Sequence, residues 1–78
     1  MTLEQALANS EYDTATMIDQ NGYRVTVASE SKRIRVSAGE DGGFARMQSD
    51  IHTMDEFKEH FAEFYVSDRW EAVGEADA

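Results

Sequence analysis

The sequence predicts an α+β domain: a short N-terminal helix, a three- to four-stranded antiparallel meander, and a longer helix in the C-terminal half covering one face of the sheet. Three observations predict it. Asn21-Gly22, a pair favoured in tight hairpins, sits between two alternating segments. Thr53-Met54-Asp55-Glu56 has the form of a helix start, with Thr53 the cap and Glu56 its capping-box partner, and Phe57, Phe61, Phe64 and Tyr65 follow at helical spacing. Leu3, Ala6 and Leu7 make a narrow apolar stripe behind Thr2, a capping residue with Gln5 three positions later.

The first helix, Thr2 to Asn9, is short enough to need a surface to dock on. A two-residue loop at Asn21-Gly22 sets Gln20 opposite Tyr23, Asp19 opposite Arg24, Ile18 opposite Val25 and Thr16 opposite Val27. On that register Ile18, Tyr23, Val25 and Val27 share the core face, and Asp19 and Arg24 form an opposite-charge pair on the other. A tight turn at Glu30-Ser31 then pairs Val27 with Ile34, Val25 with Val36 and Tyr23 with Ala38. Glu-Ser is poorer turn chemistry than Asn-Gly, so a longer loop over residues 29–32 is the alternative. Tyr12 to Ala38 is thereby a three-stranded meander. Gly39 to Gly43 reads as a flexible acidic loop and Phe44 to Gln48 as a fourth strand. The aromatic helix closes the core of the sheet and ends near Ser67-Asp68. Trp70 to Val73 is a short last strand or a docked extension, and Gly74 to Ala78 a polar tail expected to be mobile.

The chain's 78 residues give one domain with one modest core. A chain this short buries only about 60% of its unfolded surface, which leaves little to enclose a water-free active site. There is no cysteine, so disulfides, thiolate nucleophiles and cysteine metal sites are excluded together. The opening residues are acidic where a signal peptide is basic, and no apolar run follows, so a cytoplasmic protein without membrane contact is expected. Sixteen acidic residues against seven basic ones give a net charge of −9. That field repels nucleic acid and anionic membrane and attracts basic protein surfaces. Solubility alone, or a salt-adapted host, accounts for the same charge.

No catalytic or cofactor constellation emerges. His52 and His60, the only histidines, stand eight residues apart across the helix start, which is not a metal-ligand spacing. The carboxylates lie on outer faces where water keeps them ordinary, and no serine sits in a nucleophile elbow. The glycine-rich stretch 39–43 has no lysine and carries Glu40 and Asp41, which repel phosphate. The expectation is therefore no enzyme, no metal and no cofactor.

Two charge patterns remain as candidate partner sites. Asp55, Glu56, Glu59 and Glu63 occupy the outer side of the aromatic helix, with Lys58 the one basic interruption. Positions 56, 59 and 63 fall near one ridge, where like charges cost roughly 0.2–0.5 kcal/mol a pair. The ridge is either a solvated face or an acidic surface that meets a basic groove, with Glu40 and Asp41 as auxiliaries. On the non-core face of the sheet, Arg24, Arg33 and Arg35 project with Asp19, Thr26 and Ser37, an alternative site for an acidic partner. No aromatic residue interleaves with these arginines as in an RNA-stacking sheet.

The order of elements resembles that of small acidic phage anti-CRISPR proteins of the type I inhibitor kind. The stretches that carry the likeness are Asp19-Gln20-Asn21-Gly22-Tyr23 and Thr53-Met54-Asp55-Glu56-Phe57 through Phe61, and they belong to about half of the chain. The resemblance implies inhibition of a CRISPR surveillance complex in a bacterial cytoplasm, by occupying a basic DNA- or PAM-binding surface or by locking a subunit. The other reading is a cytoplasmic structural or regulatory subunit, monomer or dimer, the dimer forming through an exposed strand edge.

Overall fold

The computed structural model describes residues 1–40 and 45–74, with residues 40, 45 and 46 described as backbone only. Helix α1 spans Leu3–Asn9, and Thr2 and Gln5 form the reciprocal capping box the sequence predicts. Strands β1 (Thr14–Ile18), β2 (Tyr23–Glu30), β3 (Arg33–Glu40) and β4 (Ala45–Ile51) follow. Then come helix α2 (Met54–His60), the one-turn helix α3 (Ala62–Tyr65) and the two-residue strand β5 (Glu71–Ala72). The strands form a single antiparallel sheet in the order β4-β3-β2-β1-β5. The α+β class and the meander are thus as predicted. The sheet has five strands where three or four are expected, because the Trp70 to Val73 segment pairs with β1 as a strand.

The first hairpin differs from the expected register by one residue. Met17, not Ile18, lies opposite Val25, and Ile18 lies opposite Arg24. The reason is the turn. Gln20-Asn21-Gly22 is a three-residue loop in which only Gly22 takes a positive φ, +86°, so the pair does not form the primed turn that needs both residues left-handed. The Asp19 carboxylate accepts from the backbone N–H of Asn21 (2.8 Å) and of Tyr23 (2.9 Å), which fixes the longer loop. Asp19 is therefore a turn acceptor, and Ile18 takes the place expected for it across from Arg24. A one-residue slip exchanges the faces of a strand. Ala15 and Met17 enter the core, while Thr14, Thr16 and Ile18 go to the other side.

The second hairpin turns at Ser31-Lys32, one residue later than expected, with both residues left-handed at φ +50° and +68°. Val27 pairs with Val36 and Val25 with Ala38. This shift changes each partner by two residues, so the apolar face is preserved. Strand β4 runs three residues past the expected end, and Ile51 is buried opposite Ile34. Gly39 and Glu40 belong to β3 and not to a loop. The rest of the expected loop, Asp41 to Gly43, and Phe44 lie outside the described residues.

The core lies on one face of the sheet. Val25, Val27, Ile34 and Val36 meet Leu3 and Ala6 of α1, Phe57 of α2 and Trp70. The expected single long helix is broken at Phe61, whose backbone (φ −131°, ψ 47°) is not helical. The break keeps the aromatic row together: Phe57 stacks on Phe61 at 5.5 Å, Phe61 on Phe64 at 6.1 Å, and Tyr65 meets Phe57 edge-on. Trp70 Nε1 donates to the Phe64 carbonyl at 2.9 Å, an acceptor it shares with the Ser67 N–H at 3.2 Å. Gly74, expected in the tail, is placed against the Tyr12 ring with φ +78°, and residues 75–78 lie outside the described residues. Among the described residues, no helix is long and apolar enough to cross a membrane.

Candidate partner-binding surfaces

The two sides of the molecule carry different chemistry. All three helices lie on the core side, so the opposite face of the five-stranded sheet is open. Antiparallel register sets its rows. Thr16, Thr26, Ser37 and Gln48 line up across four strands, with Glu71 next to Thr16 on β5. Thr14, Ala28, Arg35 and Asp50 form a second row, and Glu30 stands opposite Arg33 at the turn. The expected arginine face is therefore present, and Arg24, Arg33 and Arg35 are all exposed on it. It is not a bare basic patch: Arg35 pairs with Asp50 at 3.4 Å. The sequence gives no warning of Asp50, since the fourth strand is expected to end before it.

The acidic candidates do not behave alike. Asp55 and Glu59 are exposed on α2, and Glu63 is exposed on α3. The break at Phe61 lies between Glu59 and Glu63, so the ridge is two short acidic segments and not one straight helical row. Glu56 is half-buried and turned to the helix start, where Thr53 Oγ1 accepts from its N–H at 3.2 Å and lies 3.5 Å from its Oε1. That use as a capping partner sets Glu56 apart from the other three. Glu40 ends β3 opposite Tyr23, while Asp41 lies outside the described residues. The auxiliary loop is thus not joined to the ridge by anything described.

Sequence reasoning misses a cluster that ties α1 to the later helices. Tyr65 Oη donates to Glu4 Oε1 at 2.6 Å, and Lys58 Nζ lies 3.9 Å from both Glu4 and Asp55 and 5.0 Å from the Tyr65 ring centre. The bond to Glu4 raises the Tyr65 phenol above its ordinary value, and burial adds to it, while Lys58 pulls the other way. The Lys58 ammonium is raised by the Tyr65 hydroxyl first, then by Glu4 and Asp55. No periodicity links Glu4 to Tyr65, so only tertiary contact reveals the cluster. It leaves Glu59 and Glu63 without an ion-pair partner among the described residues.

The histidines are both exposed, and no group of three potential metal ligands occurs among the described residues. The surface concavities are open ones. One lies over Thr26, Arg35, Ser37, Gln48 and Asp50 on the free sheet face; another lies between the first hairpin turn and α3, beside Asn21, Glu63 and Arg69. No protein-family model, no curated protein and no solved structure matches the chain.

Proposed function

We propose that the chain is a non-enzymatic binding protein that presents the acidic segments of α2 and α3 to a basic surface on another protein. The observation that carries this reading is the sorting of charge. On the open face, arginines are interleaved with Glu30 and Asp50, whereas Asp55, Glu59 and Glu63 stand exposed with Lys58 the only cation paired among them in the described residues. The chain's net charge of −9 steers it toward basic, nucleic-acid-handling surfaces, which present the complementary field. The described residues also hold no buried polar or charged side chain, the usual setting of a tuned catalytic group. The partner we put forward is a type I CRISPR surveillance complex, whose DNA- or PAM-binding surface the protein would block, as the anti-CRISPR resemblance implies.

The test is a pull-down with purified type I surveillance complex at low and high salt, repeated with Glu59→Lys/Glu63→Lys and with Arg33→Glu/Arg35→Glu. The expected result is capture that weakens with salt and falls at least about tenfold in the acidic double variant alone. Unchanged capture by that variant removes the acidic segments as the contact. No capture of the complex at any salt removes the anti-CRISPR target.

A further inference from the structure

The two edges of the sheet are finished differently. At the β5 edge the outward peptide groups of Trp70 are already bonded: its N–H donates to the Met1 carbonyl at 3.0 Å, and its carbonyl accepts from the Met1 amino group at 3.2 Å. Strand β5 itself is only two residues long. At the other edge β4 spans seven residues, of which Met47 to Ile51 pair regularly with β3; a bulge follows at position 46, since Ala38 pairs with Met47 but Gly39 with Ala45. Hairpin geometry says which groups are free. In the tight turn at Ser31-Lys32, Glu30 and Arg33 exchange bonds, so Arg33, Arg35 and Ser37 face β2 and the alternate residues face β4. Ile51, Ser49 and Met47 therefore bond back to β3, and the backbone groups of Gln48 and Asp50 point outward. Among the described residues nothing bonds those outward groups.

Such an edge is a template for another strand, and proteins blunt it with proline, a cover, a short strand, a bulge or charged side chains. Here the bulge at position 46 and the exposed Asp50 lie toward the two ends of β4 and leave Met47 to Ser49 between them. This chain contains no proline. We infer that the β4 edge is a self-association surface, on which β4 of a second copy pairs antiparallel about a two-fold axis at Gln48. The sequence of the strand is self-complementary in that register. Gln48 meets Gln48 of the copy and exchanges both backbone bonds, and Met47 falls opposite Ser49. Asp50 falls opposite the bulged position 46, an arginine in the sequence, so no acid opposes an acid. An axis moved to Asp50 would set Asp50 against Asp50 and Gln48 against His52, which lies beyond the end of β4. The Gln48 axis avoids that repulsion and uses more of the strand. The product joins two five-stranded sheets into one, in which the Thr16-Thr26-Ser37-Gln48 row continues into its mate.

Strand-edge pairing buries little side-chain area, below the roughly 1,200 Å² of a stable interface, so a weak dimer is expected. Two chains of net charge −9 also repel, and salt should tighten the pairing by screening. That slope is opposite in sign to the one expected for an acidic surface on a basic partner, so this inference and the proposed function can fail separately.

The experiment is sedimentation equilibrium of the whole chain from about 10 µM to about 1 mM, in low salt and in about 1 M NaCl, with amide hydrogen exchange at both ends of the range. A dimer that tightens with salt is expected, with the Gln48 and Asp50 amides exchanging at least about tenfold slower in the concentrated sample. Gln48→Pro removes an outward N–H and no bond to β3, and should be monomeric with an unchanged circular dichroism spectrum. If that variant misfolds, exchange in the native chain decides. A monomer throughout overturns the inference, as does a dimer whose Gln48 and Asp50 amides stay unprotected, the result expected for association through the open face.

Discussion

At the residue scale, the two hairpin turns divide the left-handed positions unequally. Gly22 takes φ +86° at little cost, while Ser31 and Lys32 hold +50° and +68° with side chains attached. A left-handed non-glycine residue costs about 1–2 kcal/mol, and glycine returns part of that in unfolded-state entropy. Lys32→Gly should therefore raise stability by about 0.5–1 kcal/mol, read as a higher urea midpoint at unchanged slope. Gly22→Ala should lower it by about 1 kcal/mol. Asn21→Ala is the sharper test, because Asn21 has no positive φ and its N–H, not its side chain, bonds to Asp19. It should change stability by less than about 0.5 kcal/mol. A loss of about 1 kcal/mol or more would restore the primed turn and the register that goes with it.

At the element scale, local signals are legible in the sequence and junctions are not. The Thr2 and Thr53 caps, the apolar stripe of α1 and the core face of β2 and β3 follow from spacing within each element. The β1 register does not follow, because Met17 and Ile18 are adjacent and equally apolar, and the Asp19 side chain chooses between them. The end of α2 is hidden in the same way. Phe57, Phe61, Phe64 and Tyr65 fit a straight helix, and nothing in their spacing marks the break at Phe61, after which its ring still stacks between Phe57 and Phe64. Of the candidate site, the arginine face is legible from alternation and the place of Glu56 at the Thr53 cap from capping-box spacing, but the Arg35–Asp50 pair is not. Trp70 is 1% exposed, and its indole N–H bonds to the Phe64 carbonyl of α3, so Trp70→Phe should cost about 2–3 kcal/mol from lost volume and one lost bond. A melting temperature lower by about 10 °C or more is expected for a domain of this size. The Glu4–Tyr65–Lys58 cluster gives an alkaline signature. Both Tyr65 and Lys58 have raised folded values, so their stabilisation is full below the ordinary values of 10.0 and 10.5 and is lost as pH rises through the folded ones. In ring-carbon NMR, Tyr65 should titrate above 10.0, and Glu4→Ala should bring it down. An unchanged Tyr65 titration in that variant would remove Glu4 as the principal cause.

At the scale of the whole molecule, one quantity acts on folding and on every association at once. A net charge of −9 within a body of 29 × 26 × 20 Å opposes compaction, because most pairs of acids lie within about two or three Debye lengths at low salt. The described ion pairs that salt would weaken are few and exposed, Arg35–Asp50 and the contacts of Lys58, and pairs so open to water add little to stability. Repulsion therefore wins over attraction, and added NaCl should stabilise the fold. The urea midpoint is expected to rise from about 0.05 M to about 0.5 M NaCl, with most of the gain in place once the Debye length falls below about 5 Å. Glu59→Lys/Glu63→Lys moves the net charge four units toward zero, two for each reversal, so it should be more stable than the parent at low salt and less responsive to salt. This makes the charge-reversal variant safe to read in binding: a loss of capture by a better-folded protein cannot be assigned to unfolding. A parent whose stability falls with salt would show that ion pairing outweighs the field, and the acidic segments would then belong to the fold before they belong to any partner.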